Sequence, residues 1–177
     1  MLKLIHWSEM NINSVKDYIE SCEFRNDSCI AIIQLEKSKH KYYEWMDTYE
    51  PYFYYLVNDN NPNYILGFGD INNINCKEDY MNDGNISYTI KYCERRKGYG
   101  SSLLSLLLKK CEELGMMKVC VACHKDNVGS YKVIKNNNGI LEKEFIDIDN
   151  GKVLLKFWIK LHPKLSNVLK RAFKKLD

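Results

Sequence analysis

The segment between Ile86 and Leu114 constrains the fold of this chain more than any other. Its first part, Ile86–Lys91, is typical of a strand, and its last part, from Leu103 onward, has leucines at helical spacing. The residues between them, Glu94 to Ser101, include three basic side chains and two glycines. The first turn of a helix leaves backbone N–H groups unpaired and carries a partial positive charge, and glycines let the backbone present such groups as a concave site. The segment therefore predicts a strand, an anion-binding turn and a helix, with phosphate as the natural anion.

Two common nucleotide-binding motifs do not fit this turn. The dinucleotide fingerprint needs a third glycine and an acidic residue about 20 positions further on, and the P-loop needs the pattern G-x-x-x-x-G-K-[ST]. Neither pattern matches the run Glu94-Arg95-Arg96-Lys97-Gly98-Tyr99-Gly100-Ser101. The sequence therefore indicates a phosphate-binding turn of another family.

Length and charge limit the classes of protein to which the chain can belong. A chain of 177 residues is the size of one domain, and we expect a single domain over residues 1–177. The formal net charge of +3 is modest, so a dedicated nucleic-acid binder is not indicated. The N-terminus lacks the pattern of a secretory signal, and no apolar stretch reaches the length of a membrane span. These features predict a soluble cytoplasmic protein.

The cysteines do not form a recognisable disulfide or metal framework. Seven cysteines, an odd number, are scattered along the chain, so we expect reduced thiols. The run from Cys120 through Cys123 to His124 has the spacing of some zinc ligands. However, residues three apart on a strand point to opposite faces, and no second C-x-x-C pair exists to complete four ligands. We therefore predict buried cysteines and no metal site.

The remaining patterns predict a mixture of helices and strands. A right-handed crossover through the helix that follows the turn predicts parallel pairing of strand 86–91 with the next strand. A bulge is expected at Gly67 or Gly69, and Ser14 or Asn13 is expected to cap the first helix. The predicted elements are a strand at 2–7, a helix at 14–24, an apolar run at 29–35, a helix-like run at 37–49, a hairpin of 52–57 with 64–71, a helix at 99–114 ended by Gly115, a strand at 117–123, a helix at 128–135 started by Asp126 or Asn127, and a hairpin of 141–148 with 152–161.

The C-terminal segment 163–176 predicts a basic amphipathic helix. Its apolar face consists of Leu165, Val168, Leu169, Ala172 and Phe173. Such a helix could dock on an anionic membrane or on nucleic acid. The more usual role of an amphipathic helix is to cover its own sheet or a second subunit, so we expect no membrane and no nucleic acid as partners, and a homodimer is one alternative.

Two motifs in this order resemble the GNAT superfamily of acetyl-CoA-dependent N-acetyltransferases. Arg95 to Gly100 fit the [RQ]-x-x-G-x-[GA] turn of that family, and Asp126 to Ser130 fit the N-x-x-[AS] start of its later helix. The similarity covers about residues 52–161, and the stretch Gly84–Ile90 is similar to a branch of predicted bacterial acetyltransferases. The resemblance implies an α+β fold of α/β/α layers, with a mixed, mostly antiparallel central sheet, one splayed parallel strand pair and flanking helices.

The resemblance also implies a site for acetyl-CoA as cosubstrate. The backbone of one strand would pair with the pantetheine arm, the N–H groups of the turn would bind the pyrophosphate, and two arginines would add positive charge. Asn127 would bond the pantetheine or the thioester, although an ordinary helix N-cap is an equally simple role for it. The implied strand residues are Tyr88, Thr89 and Ile90, the N–H donors are those of Arg96, Lys97, Gly98, Tyr99, Gly100 and Ser101, and the arginines are Arg95 and Arg96.

The chain departs from the family at two positions that often carry the acid and the base. Ile134 stands where many members have a tyrosine, and Ala122 stands at a frequent base position. Tyr131 lies on nearly the same helix face as Ile134 and is the nearest substitute acid, although a packing role is its alternative. Asp70 and His124 are the candidate bases. Catalysis by positioning and polarisation of the thioester alone is the third alternative.

We therefore predict a cytoplasmic N-acetyltransferase that moves acetyl from acetyl-CoA directly to a primary amine on a small molecule or a peptide. Acceptor contacts are expected in the tyrosine-rich and acidic segment from Tyr42 to Tyr55. A non-catalytic acyl-CoA-binding module that senses the cofactor is the alternative, because both expected catalytic groups are replaced. A nucleic-acid module that uses the C-terminal helix is a third function, from another class.

Overall fold

The computed structural model describes residues 1–23, 52–72, 84–147 and 151–174. These residues fall into two compact units, Met1–Asp70 with Tyr88–Leu103 and Ile71–Ser87 with Leu104–Asp177. The predicted elements at 29–35 and 37–49 lie outside the described residues, as does most of the predicted acceptor segment. The single domain over 1–177 stays a prediction.

The first sheet has the strand order β1-β2-β3-β4. Its strands are β1 (Leu2–His6), β2 (Phe53–Asn58), β3 (Asn61–Ile71) and β4 (Ile86–Ile90). The predicted hairpin of β2 and β3 is confirmed and is antiparallel. Its register shifts after Leu56 pairs with Gly67, because Leu66 is an extra residue on β3, whereas Gly69 pairs regularly with Tyr54. The predicted bulge therefore lies beside Gly67 and not at Gly69.

The first helix, α1, covers Ile12–Glu23 and begins two residues earlier than the sequence predicts. Asn11 Oδ1 accepts a hydrogen bond from the N–H of Asn13 at 2.9 Å. The prediction that Ser14 or Asn13 caps this helix was therefore wrong, because Asn11 already supplies the side-chain acceptor at the helix start. Nine buried side chains of this unit form an apolar cluster: Trp7, Met10, Val15, Tyr18, Phe53, Tyr55, Val57, Ile65 and Phe68.

The second sheet has the order β5-β7-β6, and both of its strand pairs are antiparallel. Its strands are β5 (Lys118–His124), β6 (Ile140–Ile146) and β7 (Val153–Lys160), and the helices are α2 (Tyr99–Glu113), α3 (Val128–Asn136) and α4 (Leu165–Lys174). Gly115 has a φ of +74° and follows the end of α2. The N–H groups of Gly115 and Met116 donate to the carbonyls of Glu112 and Cys111 at 3.0 Å each, so the predicted glycine stop is confirmed.

The predicted parallel pairing of β4 with β5 is not found among the described strands, since the two belong to different sheets. The segment before β4 reaches β5 through an antiparallel bridge between Gly84 and Val121. Next to that bridge, the N–H of Asn85 donates to the Cys120 carbonyl at 2.7 Å, and Asn85 Oδ1 accepts from the Cys120 N–H at 2.8 Å. The side chain of Asn85 thus accepts the Cys120 N–H, which a continuing strand ladder would bond to a backbone carbonyl. The fold is mixed α+β with antiparallel sheets, and the splayed parallel pair stays a prediction.

Helix α4 contacts the end of α2 through its polar side. Asn167 Nδ2 donates to the Glu112 carbonyl at 3.3 Å. Leu165 and Leu169, on the apolar face, are 73% and 49% exposed. Val168, on the same face, is half-buried, and its backbone lies against Gly115. The packing of this apolar face on its own sheet or on a second subunit stays a prediction. No helix among the described residues is long and apolar enough to cross a membrane.

Candidate functional site

The turn before α2 has the backbone geometry of an anion-binding nest. Arg96 and Gly98 have φ values of +63° and +85°, so left-handed residues flank Lys97. Within the part of the chain that the structure describes, the N–H groups of residues 96–100 find no backbone acceptor. Consecutive donors in such a conformation face one concave side and suit an anion. A Cβ added to Gly98 would meet no atom of the described residues within 4 Å.

The three basic side chains of the turn have different environments. Arg95 Nε donates to the Ile90 carbonyl at 3.0 Å, which ties this arginine to the end of β4. Lys97 Nζ donates to Glu94 Oε2 at 2.9 Å. Arg96 is exposed, and the described residues include no ion-pair partner for it. Arg96 is thus the cation of the turn that is best placed to meet an incoming anion.

Glu94 and Tyr64 are site residues that the sequence did not identify. Tyr64 Oη donates to Glu94 Oε1 at 3.0 Å, and the bond to Lys97 is the largest cause of the lowered pKa of Glu94. Burial, followed by the hydrogen bonds to Cys93 and Glu94, raises the pKa of Tyr64 well above its usual value. Both groups therefore keep the charge state that this contact needs, a carboxylate acceptor and a neutral hydroxyl donor. The charged run around Glu94 was visible in the sequence, but no local pattern points to a tyrosine 30 positions earlier.

The edge of β4 carries the residues predicted to pair with pantetheine. The N–H of Lys91 donates to the Leu66 carbonyl of β3 at 2.9 Å, and the Thr89 carbonyl lies against Gly67 of β3. Because successive residues of a strand point their backbone groups to opposite edges, Tyr88 and Ile90 face away from β3. Thr89 therefore faces β3, and the pairing of Tyr88, Thr89 and Ile90 with pantetheine stays a prediction.

Asn127 caps α3 in the second unit. Its Oδ1 accepts a hydrogen bond from the N–H of Ser130 at 3.0 Å, and its carbonyl accepts from the N–H of Tyr131 at 3.0 Å. The N-cap role, one of the two considered for this residue, is confirmed, and Asp126 is not the cap. The side-chain amide nitrogen of Asn127 takes no part in this cap, so it remains a donor.

Ile134, at the position of the expected acid, and Tyr131, the nearest substitute, have different environments. Ile134 is completely buried in the second unit and packs against Gly139. Tyr131, one helical turn earlier, is 40% exposed, and its ring meets the edge of Phe157 at a centroid distance of 5.8 Å. Tyr131 therefore has both a packing contact and a solvent-accessible surface, whereas a side chain at position 134 serves the core.

The candidate bases have different environments. Asp70 is buried at the end of β3, opposite Phe53 of β2. His124 ends β5, and its Nδ1 is buried without a hydrogen bond from any described residue. Ala122 pairs with Lys156 across β5 and β7.

The cysteines of β5 have the environment of buried apolar side chains. Burial raises the pKa of Cys120 to about 11 and also raises the pKa of Cys123. A metal ligand must be a thiolate, which these surroundings disfavour. Among the described residues no cluster of histidine, cysteine, aspartate or glutamate has the geometry of a metal site.

Comparison with known proteins identifies a family. A model described as an acetyltransferase (GNAT) domain matches residues 12–138. A search of curated proteins finds no match.

Solved structures share the fold at low sequence identity. RimL, a ribosomal L7/L12 alpha-N-protein acetyltransferase in complex with coenzyme A, is 16% identical with a TM-score of 0.65, over 95% of this chain and 96% of its own. The protein yncA from Salmonella typhimurium, with its cofactor acetyl-CoA, is 9% identical with a TM-score of 0.60, over 93% and 96%. An N-acetyltransferase from Staphylococcus aureus Mu50 is 15% identical with a TM-score of 0.60, over 92% and 99%.

Proposed function

This chain belongs to the GNAT family of acetyltransferases, and we propose that it transfers the acetyl group of acetyl-CoA directly to a primary amine. Membership makes it an acyltransferase and acetyl-CoA its cosubstrate. The observation that carries the proposal is the turn before α2, where the N–H groups of residues 96–100 lack backbone acceptors in the described structure. Such donors at a helix start suit a pyrophosphate. Family membership favours this enzyme over the module that only senses acyl-CoA.

In this proposal the cofactor is held by backbone and side-chain groups of three predicted segments. The N–H groups from Arg96 to Ser101 bind the pyrophosphate, with Arg96 supplying charge and Arg95 fixing the start of the turn. The backbone of Tyr88 and Ile90 pairs with the pantetheine arm along the edge of β4 that faces away from β3. The amide nitrogen of Asn127 donates to the pantetheine or to the thioester carbonyl.

The reaction needs one proton acceptor and one proton donor. The amine nitrogen attacks the thioester carbonyl carbon, the C–N bond forms, and the C–S bond breaks. The amine loses a proton and the leaving thiolate gains one, so the products are an amide and free CoA. Since an alkyl amine is neutral only to about one part in a thousand at pH 7, a group that accepts its proton raises the rate. We assign this role to Asp70 and the donation to the thiolate to Tyr131.

Substitution of either group tests this assignment. Tyr131→Phe keeps the ring contact with Phe157 and removes only the hydroxyl, and Asp70→Asn keeps the shape and removes the charge. A lost general acid or base lowers rates by about 100-fold or more, so we expect kcat to fall by that factor for each variant. The Kd for acetyl-CoA, measured by calorimetry, is expected to stay within twofold of the wild type.

Tyr131→Leu is the matched comparison, because it removes the ring as well as the hydroxyl. It is expected to lower both kcat and the melting temperature, whereas Tyr131→Phe lowers kcat alone. If Tyr131→Phe retains full kcat, Tyr131 is a packing residue and not the acid.

Asn127→Ser separates the two roles of Asn127. Serine caps a helix about as well as asparagine but has no amide nitrogen, so we expect the melting temperature to stay unchanged. Loss of one hydrogen bond costs about 0.5–1.5 kcal/mol, which predicts a threefold to tenfold rise in the KM for acetyl-CoA. Steady-state kinetics and thermal unfolding measure the two effects. Asn127→Ala should also destabilise the protein by about 1 kcal/mol, and an unchanged KM in Asn127→Ser would leave Asn127 as a cap only.

The acceptor is an amine on a small molecule or on a peptide. RimL, which shares the fold, is named for acetylation of a protein α-amine. We therefore propose that the acceptor panel contain peptide N-termini, lysine-containing peptides and small alkyl amines. The homodimer and the cytoplasmic location stay predictions.

The experiment that tests the proposed function is an assay of thiol release from acetyl-CoA in the presence of each amine. We expect release above the rate of thioester hydrolysis with at least one amine, and an acetylated product with a mass increase of about 42 Da by mass spectrometry. The alternative sensing module predicts cofactor binding with no amine-dependent release. That outcome across the whole panel would contradict the proposed enzyme.

A further inference from the structure

Glu94, immediately before the arginine turn, uses both of its carboxylate oxygens. Oε1 accepts from Tyr64 Oη at 3.0 Å, and Oε2 accepts from Lys97 Nζ at 2.9 Å. The Glu94 side chain is only 14% exposed, whereas Lys97 is 52% exposed. We call these residues, Tyr64, Glu94 and Lys97, the Glu94 network. The network connects β3 to the middle of the turn.

The Tyr64 end of the network is anchored to the first sheet. Tyr64 lies on β3, and Lys91 Nζ sits over its ring at 4.5 Å from the centroid. The backbone of Lys91 is bonded to Leu66 of β3, and the N–H of Glu94 donates to the Lys91 carbonyl at 2.8 Å. The tyrosine hydroxyl is therefore presented to Glu94 from a strand whose own position is fixed by backbone hydrogen bonds.

The Lys97 end of the network lies next to a strained residue. Arg96 has a φ of +63°, a left-handed conformation that residues other than glycine, asparagine and aspartate rarely adopt. On one side of Arg96, the Arg95 side chain is bonded to the Ile90 carbonyl, and on the other side Lys97 is bonded to Glu94. Contacts on both sides thus hold the left-handed residue in place, and with it the N–H groups that follow.

We propose that Tyr64 and Glu94 are positioning residues for the cofactor, which hold the N–H groups of the turn in the pyrophosphate-binding arrangement before the cofactor arrives. This inference rests on the proposed function. A site that is already ordered loses less conformational freedom on binding, so the network contributes to affinity without touching the ligand. In the Glu94 network, the carboxylate of Glu94 neutralises Lys97. The side chain of Arg96 and the backbone N–H groups of the turn therefore attract the phosphate.

The test compares CoA with acetyl-pantetheine, which lacks the pyrophosphate and the adenosine of CoA. Tyr64→Phe keeps the ring under Lys91 and removes the hydroxyl that holds Glu94. We expect the Kd for CoA, from calorimetry, to rise threefold to tenfold. The Kd for acetyl-pantetheine, which lacks the pyrophosphate, is expected to stay unchanged in ligand-observed NMR titrations. Glu94→Gln, which removes the ion pair with Lys97, is expected to act in the same direction.

Asp59→Asn is the matched control. Asp59 is bonded to Lys3 Nζ at 3.0 Å in the same unit, so the substitution also removes a carboxylate paired with a lysine, but at the β2–β3 turn. It should leave the Kd for CoA unchanged. If the wild type binds CoA and Tyr64→Phe binds it equally well, the positioning role is wrong and the proposed function stands. If Tyr64→Phe weakens both ligands alike, the network supports the fold in general and the inference is overturned. Failure of the wild type to bind CoA overturns the proposed function together with this inference.

Discussion

Gly98→Trp is expected to weaken the binding of acetyl-CoA at least tenfold. The φ of +85° at Gly98 is unfavourable for other residues, and no atom of the described residues lies within 4 Å of a Cβ placed there. An indole side chain would therefore occupy the volume in front of the N–H groups of residues 96–100 instead of displacing protein atoms. Loss of hydrogen bonds to a charged pyrophosphate costs about 1.5–3 kcal/mol each, which supports a decrease of this size. Calorimetric titration with acetyl-CoA gives the Kd of both proteins.

Gly151→Trp controls for backbone strain. Gly151 also has a positive φ, +70°, and a Cβ there would also meet no atom within 4 Å in the part of the chain that the structure describes. The two substitutions therefore carry similar conformational costs, and both should lower the melting temperature by a similar amount. Only Gly98→Trp is expected to lose cofactor affinity. Equal affinities in the two variants would show that the turn is not the pyrophosphate site.

Gly67→Ala is expected to destabilise the protein by about 2–3 kcal/mol and to lower its melting temperature by roughly 5 °C or more. A Cβ at this position would lie 2.3 Å from the Thr89 carbonyl oxygen and 3.1 Å from Ile90 Cα. Both are backbone atoms of β4, so the strand must move to admit the methyl group. Since β4 leads into the turn, the Kd for acetyl-CoA should rise as well. Thermal unfolding and calorimetry measure the two effects.

Gly129→Ala is the comparison for this variant. Its Cβ would meet only Asn127 Oδ1, at an ordinary contact distance of 3.5 Å, in the first turn of α3. Alanine is a better helix former than glycine, so stability should be unchanged or higher by up to about 1 kcal/mol. If Gly67→Ala is as stable as Gly129→Ala, the close approach of β3 and β4 does not limit the fold.

Local patterns were sufficient to predict most elements of the fold. The glycine that ends α2, the asparagine that caps α3 and the hairpin of β2 with β3 all depend on residues within a few positions of one another. Capping and turn preferences act over that distance, and so they can be read from a sequence. Gly98 belongs to the same class, because its φ of +85° is one that glycine itself favours.

The contacts that the sequence did not predict join distant residues. The Thr89 carbonyl lies against Gly67 of β3, and Asn85 Oδ1 accepts a hydrogen bond from the Cys120 N–H. The bond from Tyr64 to Glu94 spans 30 positions. None of these contacts leaves a periodic signal in the sequence, since they depend on which strands become neighbours in the folded chain.

The structure also gives a physical reason for the replaced catalytic position. Ile134 is fully buried against Gly139, where a Cβ on the glycine would lie 2.3 Å from Ile134 Cγ2. This tight packing buries the branched aliphatic side chain completely. The half-exposed Tyr131 is therefore the better candidate for proton donation from this helix.

A crystal structure of the protein with acetyl-CoA tests the central claim most directly. If the turn before α2 binds the pyrophosphate, we expect its oxygens within about 3.2 Å of the N–H nitrogens of residues 96–100. We expect the pantetheine arm along the β4 edge at Tyr88 and Ile90. Density for the cofactor away from this turn, with the N–H groups of residues 96–100 unoccupied, would contradict it.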